Sequence, residues 1–330
     1  MNAEKSTPGA ETTAMNFVNG VLSVFRRHQI LTLVALLVIL CIGIELRLPG
    51  TVTPTWISNA LLFAAPLGVF SAGQTLVMLT GGIDLSVVAV ATGSAYLLAT
   101  NASHGTIASV AIGMSLGLVV GLLNGIGIAV LQVQPLVMTL GTGLMTLGFT
   151  TVYSQKMLAS NPQIPEFLTA IGTGKVFDLI PIDLFVWIPL SAVMILALRY
   201  TGFGRLLYAI GDNREACKLS GIRVWRVLLI DYLLCSLLAA AAGLILVGNS
   251  NAADLGLADQ YLLPSVAAVI IGGTSIFGGR GGYSGSIVGA IILTVLTSLL
   301  TLLDVPEPVR QILYGGIILT LAAAYTRLTD

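Results

Sequence analysis

Long apolar runs, broken by short polar or glycine-rich breaks, set the rhythm of this chain. Ten runs are long enough to be read as membrane-crossing helices: about 30–46, 58–79, 86–103, 106–130, 136–154, 184–199, 227–247, 263–277, 284–303 and 309–326. A span needs about 20 mostly apolar residues. Continuous runs of this kind indicate helices, because barrel strands alternate over short segments. The predicted fold class is an all-α polytopic membrane protein with about ten transmembrane helices. The eighth run is short, since 15 residues rise about 22 Å as a helix.

Two breaks differ from ordinary connectors. One is Gly81-Gly82-Ile83-Asp84-Leu85-Ser86, and the other runs from Gly272 to Tyr283 with seven further glycines or hydroxyls between. Irregular backbone at membrane depth is tolerated where it is buried in protein or lines a watery cavity. Glycine-interrupted short spans point to a substrate pathway in transporters. The competing reading is a pair of tight turns at the membrane surface. Small-residue spacing at Gly121 and Gly125, and at Gly285 and Gly289, predicts close helix packing.

Composition sharpens the class. Of 330 residues, 9% are charged and 56% hydrophobic, with a mean hydropathy of +0.96. Soluble domains carry about 25% charged residues. The exception is an island, Arg199–Arg226, with six basic residues against Asp212 and Glu215. Placing the N-terminus inside puts eleven basic residues on the cytoplasmic face and four outside, which is the expected asymmetry. Both termini are then cytoplasmic. Residues 1–29 form a cytoplasmic segment that includes a weak interfacial helix, 30–326 the transmembrane domain with the charged segment 199–226, and 327–330 the cytoplasmic tail. The loop 155–183 and the stretch Gly248–Leu262 fall outside, either as surfaces that an extracytoplasmic partner would meet or as solvated connectors.

Within the island, Asp212 and Asn213 are good N-cap types, Arg214 to Leu219 can form a helix, and Gly221 suits a left-handed helix end. A short helix lying on the membrane surface fits a groove in a cytoplasmic partner.

Several chemistries are excluded. The nearest string to a phosphate-binding loop, Ile171 to Val176, has Thr169 where the first glycine belongs and Val176 where a magnesium-binding hydroxyl belongs. The chain is therefore expected to bind no cofactor of its own and not to be an enzyme, and any ATP-driven work needs a separate subunit. His28 and His104 lie far apart, and Cys41, Cys217 and Cys235 lack metal-ligand spacing. Asp231 is read in the first turn of the seventh span, complementing the helix dipole. Asp84 is read as a cap of the third span or as a gate. Gln74 and Asn124 are uncharged polar groups within spans, suited to bonding a sugar or, more commonly, a neighbouring helix.

Three strings carry a resemblance. They are Gly73-Gln74-Thr75-Leu76-Val77 leading into Gly81–Ser86; Gly211-Asp212-Asn213-Arg214-Glu215-Ala216 followed by Ser220-Gly221-Ile222; and Gly272-Gly273-Thr274-Ser275 through Gly281. In this order the chain resembles the permease subunit of bacterial ABC importers for monosaccharides of the ribose, xylose, arabinose and galactose type. Val88 departs from the family's usual glycine there. The resemblance implies a fold of the vitamin-B12-importer-like class and a multi-pass protein of the bacterial inner membrane. It also implies a cytoplasmic ABC ATPase, a periplasmic sugar-binding protein and a second permease copy as partners, with lipid around them and no nucleic acid. Coupling to the ATPase would use Gly211, Asp212, Asn213, Arg214, Glu215, Ala216, Ser220 and Gly221. The pathway or gate would use Gln74, Gly81, Gly82, Asp84, Ser86, Asn124, Thr274 and Ser275. The rivals are a permease for branched-chain amino acids or nucleosides and a stand-alone secondary transporter. The scarcity of buried charge argues against ion coupling in the latter.

Overall fold

Long apolar runs become helices, even across Pro66 and Pro189, and each of the ten runs falls on one. The computed structural model describes residues 29–156 and 163–329. Residues 1–28, with the weak interfacial helix, lie outside the described residues. The first helices are α1 (Gln29–Arg47), α2 (Pro54–Leu79), α3 (Val87–Thr100), α4 (Thr106–Ala129) and α5 (Pro135–Lys156). Then come α6 (Glu166–Thr173) and a hairpin of β1 (Lys175–Val176) and β2 (Ile180–Pro181). The chain continues through α7 (Leu184–Tyr200), α8 (Gly202–Asp212), α9 (Arg214–Leu219) and α10 (Val224–Ser250). It closes with α11 (Leu262–Ile271), α12 (Tyr283–Leu302) and α13 (Glu307–Thr329).

Among the described residues, six helices are long and apolar enough to cross a membrane: α1, α2, α4, α5, α10 and α12. A seventh is obtained by counting α7 and α8 together across their 67° bend. Helices α3 and α11 are apolar but shorter. The eighth run ends early: α11 stops at Ile271, and residues 272–277 are turns. Ten residues rise about 15 Å, half the hydrocarbon thickness.

Helices α2 and α10 form the centre. Helix α10 packs on α2, α3, α4 and α6, and α2 also packs on α12, α11 and α7. Glycines set the closest approaches, as their spacing predicts. A Cβ at Gly121 would stand 2.8 Å from Leu233 Cα, and one at Gly125 2.9 Å from the Leu229 carbonyl, so α4 lies against α10 backbone to backbone. Gly285 and Gly289 do the same for α12 against Gly272 and Ala268 at α11. The outer faces keep large apolar groups exposed, including Ile39 and Leu46 on α1 and Leu144 and Met145 on α5, as a lipid-facing surface requires.

The loop 155–183 is more than a solvated connector. Met157–Pro162 lie outside the described residues, but the rest forms α6 and the hairpin, registered Lys175 with Pro181 and Val176 with Ile180. Helix α6 packs on α10, where Gly172 abuts Gly248 and Asn249. The sequence signal was masked because a two-turn helix and two-residue strands are too short to show a period.

The connections sort to two ends. One end holds residues 48–53, 163–183 and 251–261, tied by Lys175 Nζ donating to Asn59 Oδ1 at 2.7 Å and by Gln163 N donating to the Ala99 carbonyl at 3.0 Å. The other end holds the two glycine-rich breaks and the charged island.

Candidate functional site: a glycine junction under a charged platform

The three strings singled out in the sequence meet at that second end. Helix α8 is amphipathic and buries Leu207 and Ile210. It begins at a capped bend, where the Thr201 hydroxyl accepts from Gly204 N at 3.1 Å. Its last turn carries Gly211, which lies against the Leu79 carbonyl at the end of α2 and the backbone of Gly279. Gly279 N in turn donates to the Leu79 carbonyl at 3.0 Å. Gly278 and Gly81 also touch there, both with positive φ. Three backbones converge with no room for a side chain at Gly211. Tyr208 Oη donates to the Gly281 carbonyl at 3.0 Å, pinning α8 to the second glycine break.

Helix α9 hangs from this junction. Asn213 is its N-cap, with Oδ1 accepting from Ala216 N at 2.9 Å. Gly221 has φ +79°, and Ile222 N donates to the Cys217 carbonyl while Gly221 N donates to Lys218. That paired pattern is a Schellman end, and it needs the left-handed glycine. Asp212, Glu215, Ala216 and Ser220 are exposed, Arg214 is half-buried, and Cys217 is buried. Glu215 and Lys218 form an ion pair at 2.6 Å with both side chains in solvent. Such exposed pairs contribute at most about 1 kcal/mol, so Glu215 contributes little to the helix and stays available to a partner.

Above the junction, residues 83–86 are clamped between three helices. Asp84 is fully buried. Its Oδ1 accepts from Ser86 N at 2.8 Å and from Ser86 Oγ at 2.6 Å. The N-cap position of α3 is Ser86, so Asp84 caps the helix from two residues ahead rather than from the cap itself. Gln74 on α2 donates to the Asp84 carbonyl at 2.6 Å. Asn124 on α4 donates to Ser86 Oγ at 2.9 Å and accepts from Thr142 on α5 at 2.6 Å. Leu85 N donates to Thr139 Oγ1 at 3.1 Å. Gln74 thus holds the backbone of the break, and Asn124 ties α4 to the start of α3 and to α5. Gly82 lies against the Tyr232 hydroxyl.

The hydroxyls of the second break fold its own loop. Gly282 N donates to Thr274 Oγ1 at 3.2 Å, Phe277 N to Ser275 Oγ at 3.2 Å, and Ser275 N to the Arg280 carbonyl at 3.0 Å. Of the sequence-named pathway residues, Gln74, Asp84, Ser86 and Asn124 share one hydrogen-bonded cluster, while Thr274 and Ser275 bond within their own loop. Asp84 Oδ2 is the one side-chain atom of that set that is buried and unbonded among the described residues.

Asp231 departs from expectation. Helix α10 begins at Val224, so Asp231 is its eighth residue, beyond the first turn where a dipole acts. It is buried and accepts from Thr80 Oγ1 at 3.1 Å, joining α10 to the end of α2. The apolar run concealed this earlier start, because Trp225 and Arg226 read as loop.

The family described as "Branched-chain amino acid transport system / permease component" matches residues 56–322. The chain is similar to the ribose import permease protein RbsC of Bacillus subtilis, 36% identical over 88% of this chain and 90% of the relative. The corresponding protein of Escherichia coli K12 is 34% identical, with 87% and 90% covered. The fructose import permease protein FrcC of Rhizobium meliloti is 32% identical, with 79% and 74% covered. No solved structure matches the chain.

Proposed function

The chain belongs to this family of transport-system permease components, and from that premise we propose that it is the membrane-spanning subunit of an ABC importer that carries a monosaccharide. The observation that carries the reading is the glycine junction beneath an exposed, capped helix α9. A partner pressing on α9 acts on Gly211, Gly279 and Leu79 with no side chain to absorb the movement. Close-packed contacts transmit displacement rather than damp it. In this reading the partner is an ABC ATPase that binds the ATP and magnesium, and α9 is the coupling helix. The chain itself performs no hydrolysis.

The subunit has ten membrane-crossing helices of the vitamin-B12-importer-like class, both termini in the cytoplasm, and a second permease copy beside it. A periplasmic sugar-binding protein docks at the end formed by α6, the hairpin and residues 251–261. The plug of Gln74, Asp84, Ser86, Asn124, Thr274 and Ser275 closes the pathway on the cytoplasmic side and opens when α8 moves. The family's description favours one competing cargo, branched-chain amino acids; the ribose and fructose relatives favour sugars. Uptake of labelled ribose, fructose and leucine in a strain lacking this gene, with and without complementation, tests the reading. Complementation should restore a monosaccharide and not leucine. Restoration of leucine alone overturns it.

A further inference from the structure

Building on the sugar-import reading, we propose that the cleft between α2, α11, α12 and α13 is a weak binding station for one monosaccharide. The cleft holds about 380 Å³, within the lower part of the range of small-molecule pockets, about 300–1,000 Å³. It lies at the end opposite the charged island, far along α2 and α12 from the plug. It shares no residue with the plug or platform.

Three helices each turn one helical stripe toward it. On α2 the stripe is Trp56, Asn59, Ala60 and Phe63; on α12 it is Thr294, Thr297, Ser298 and Thr301. On α13 it is Glu307, Arg310 and Tyr314. The spacings of three, four and seven residues put each set on one face. The chemistry differs by wall: aromatic and amide, hydroxyl, then charge and phenol. A monosaccharide needs this mixture, since its C–H face packs on a ring while its hydroxyls both donate and accept.

The hydrogen bonds leave the right groups facing inward. Thr294 and Thr301 donate to the carbonyls of Ala290 and Thr297, which leaves their oxygens as acceptors. Trp56 Nε1 donates to Ser298 Oγ at 2.9 Å, and Thr297 pairs with the Tyr314 hydroxyl at 2.6 Å, fixing both rings. Arg310 is held by its Nε donating to the Val305 carbonyl at 2.8 Å and by Glu307 at 3.7 Å. Its side chain is 15% exposed, so its other N–H groups are placed rather than floppy. The Gln260 amide at the rim has no hydrogen bond among the described residues.

Helix α13 packs on α11, and Tyr314 ties it to α12 across the cleft. A lipid chain would require none of these polar stripes. The site should be weak, because an importer must release what it binds.

The test uses the full transporter in nanodiscs, with D-ribose and D-fructose as probes and leucine as control. Ligand-observed NMR reports binding, and an emission response that is lost in Trp56→Phe assigns it to the cleft. The wild type should bind the sugar carried in uptake at millimolar strength, and Arg310→Gln and Thr297→Val should each raise the uptake KM by about tenfold, equal to about 1.4 kcal/mol. Arg310→Lys should recover part of this, with ATPase assembly unchanged in every variant. Unchanged KM and sugar contacts in both variants, with wild-type sugar uptake intact, overturn the cleft but leave the sugar reading standing. Uptake of leucine and of no sugar overturns both. Lipid co-purifying in the cleft and undisplaced by sugar also overturns the proposal.

Discussion

Two buried carboxylates separate capping from charge at the scale of one residue. Asp84 accepts both of its bonds on Oδ1, from Ser86, and Oδ2 has no bond among the described residues. Asn caps nearly as well as Asp, so Asp84→Asn keeps the capping geometry and removes the ionisable group. Sugar uptake should fall at least tenfold with normal expression and normal ATPase assembly. Uptake within about a factor of two would make Asp84 a purely structural cap. Asp183, which precedes α7, is fully buried, and burial pushes its carboxyl up from 3.8 to about 7. A raised acid keeps its proton in the fold. Its contribution to stability is present below about pH 4 and is lost as pH rises toward 7. Asp183→Asn should therefore raise the thermal midpoint by several degrees at pH 8 and leave it unchanged at pH 4. A lower midpoint at pH 8 would mean that the fold stabilises the carboxylate instead.

At the scale of elements, helix α9 divides shape from recognition. Gly221 fixes the shape through its left-handed backbone, and a β-branched residue cannot hold φ +79° without strain. Glu215 has no such duty, being in solvent with Lys218. Gly221→Val should abolish transport-linked ATP hydrolysis and also weaken ATPase binding in pull-downs. Glu215→Arg should abolish coupling while the α9 backbone, read by proteolysis, stays native. Wild-type hydrolysis in both variants would remove α9 from the coupling path. Much of this element was readable beforehand: Asn213 is the cap, Arg214–Leu219 the helix, Gly221 the end. The preceding α8 was not, because its amphipathic pattern hid inside a stretch read only for charge. The cleft was equally hidden. Its stripes are legible singly, yet which three helices face each other is decided by packing across more than 200 residues, as Trp56 with Ser298 shows.

For the whole molecule, orientation decides whether the platform can meet an ATPase at all. The charge map places the island inside and Asp254 outside. Native Cys217 is a poor probe, since it is only 6% exposed and would resist reagents from either side. Leu219, on the same helix, is 89% exposed, and Asp254 is exposed at the opposite end. Cys41 and Cys235 are one half-buried and one fully buried within helices, so background labelling should be low. An impermeant thiol reagent on intact cells should label Asp254→Cys and spare Leu219→Cys. Opening the membrane should then expose Leu219→Cys. The two ends are set by the contacts of one fold, so the labels must exchange together. If Leu219→Cys reacts in intact cells and Asp254→Cys does not, the chain is inverted. The platform would then face away from any source of ATP, and α9 could not be a coupling helix, whatever its shape.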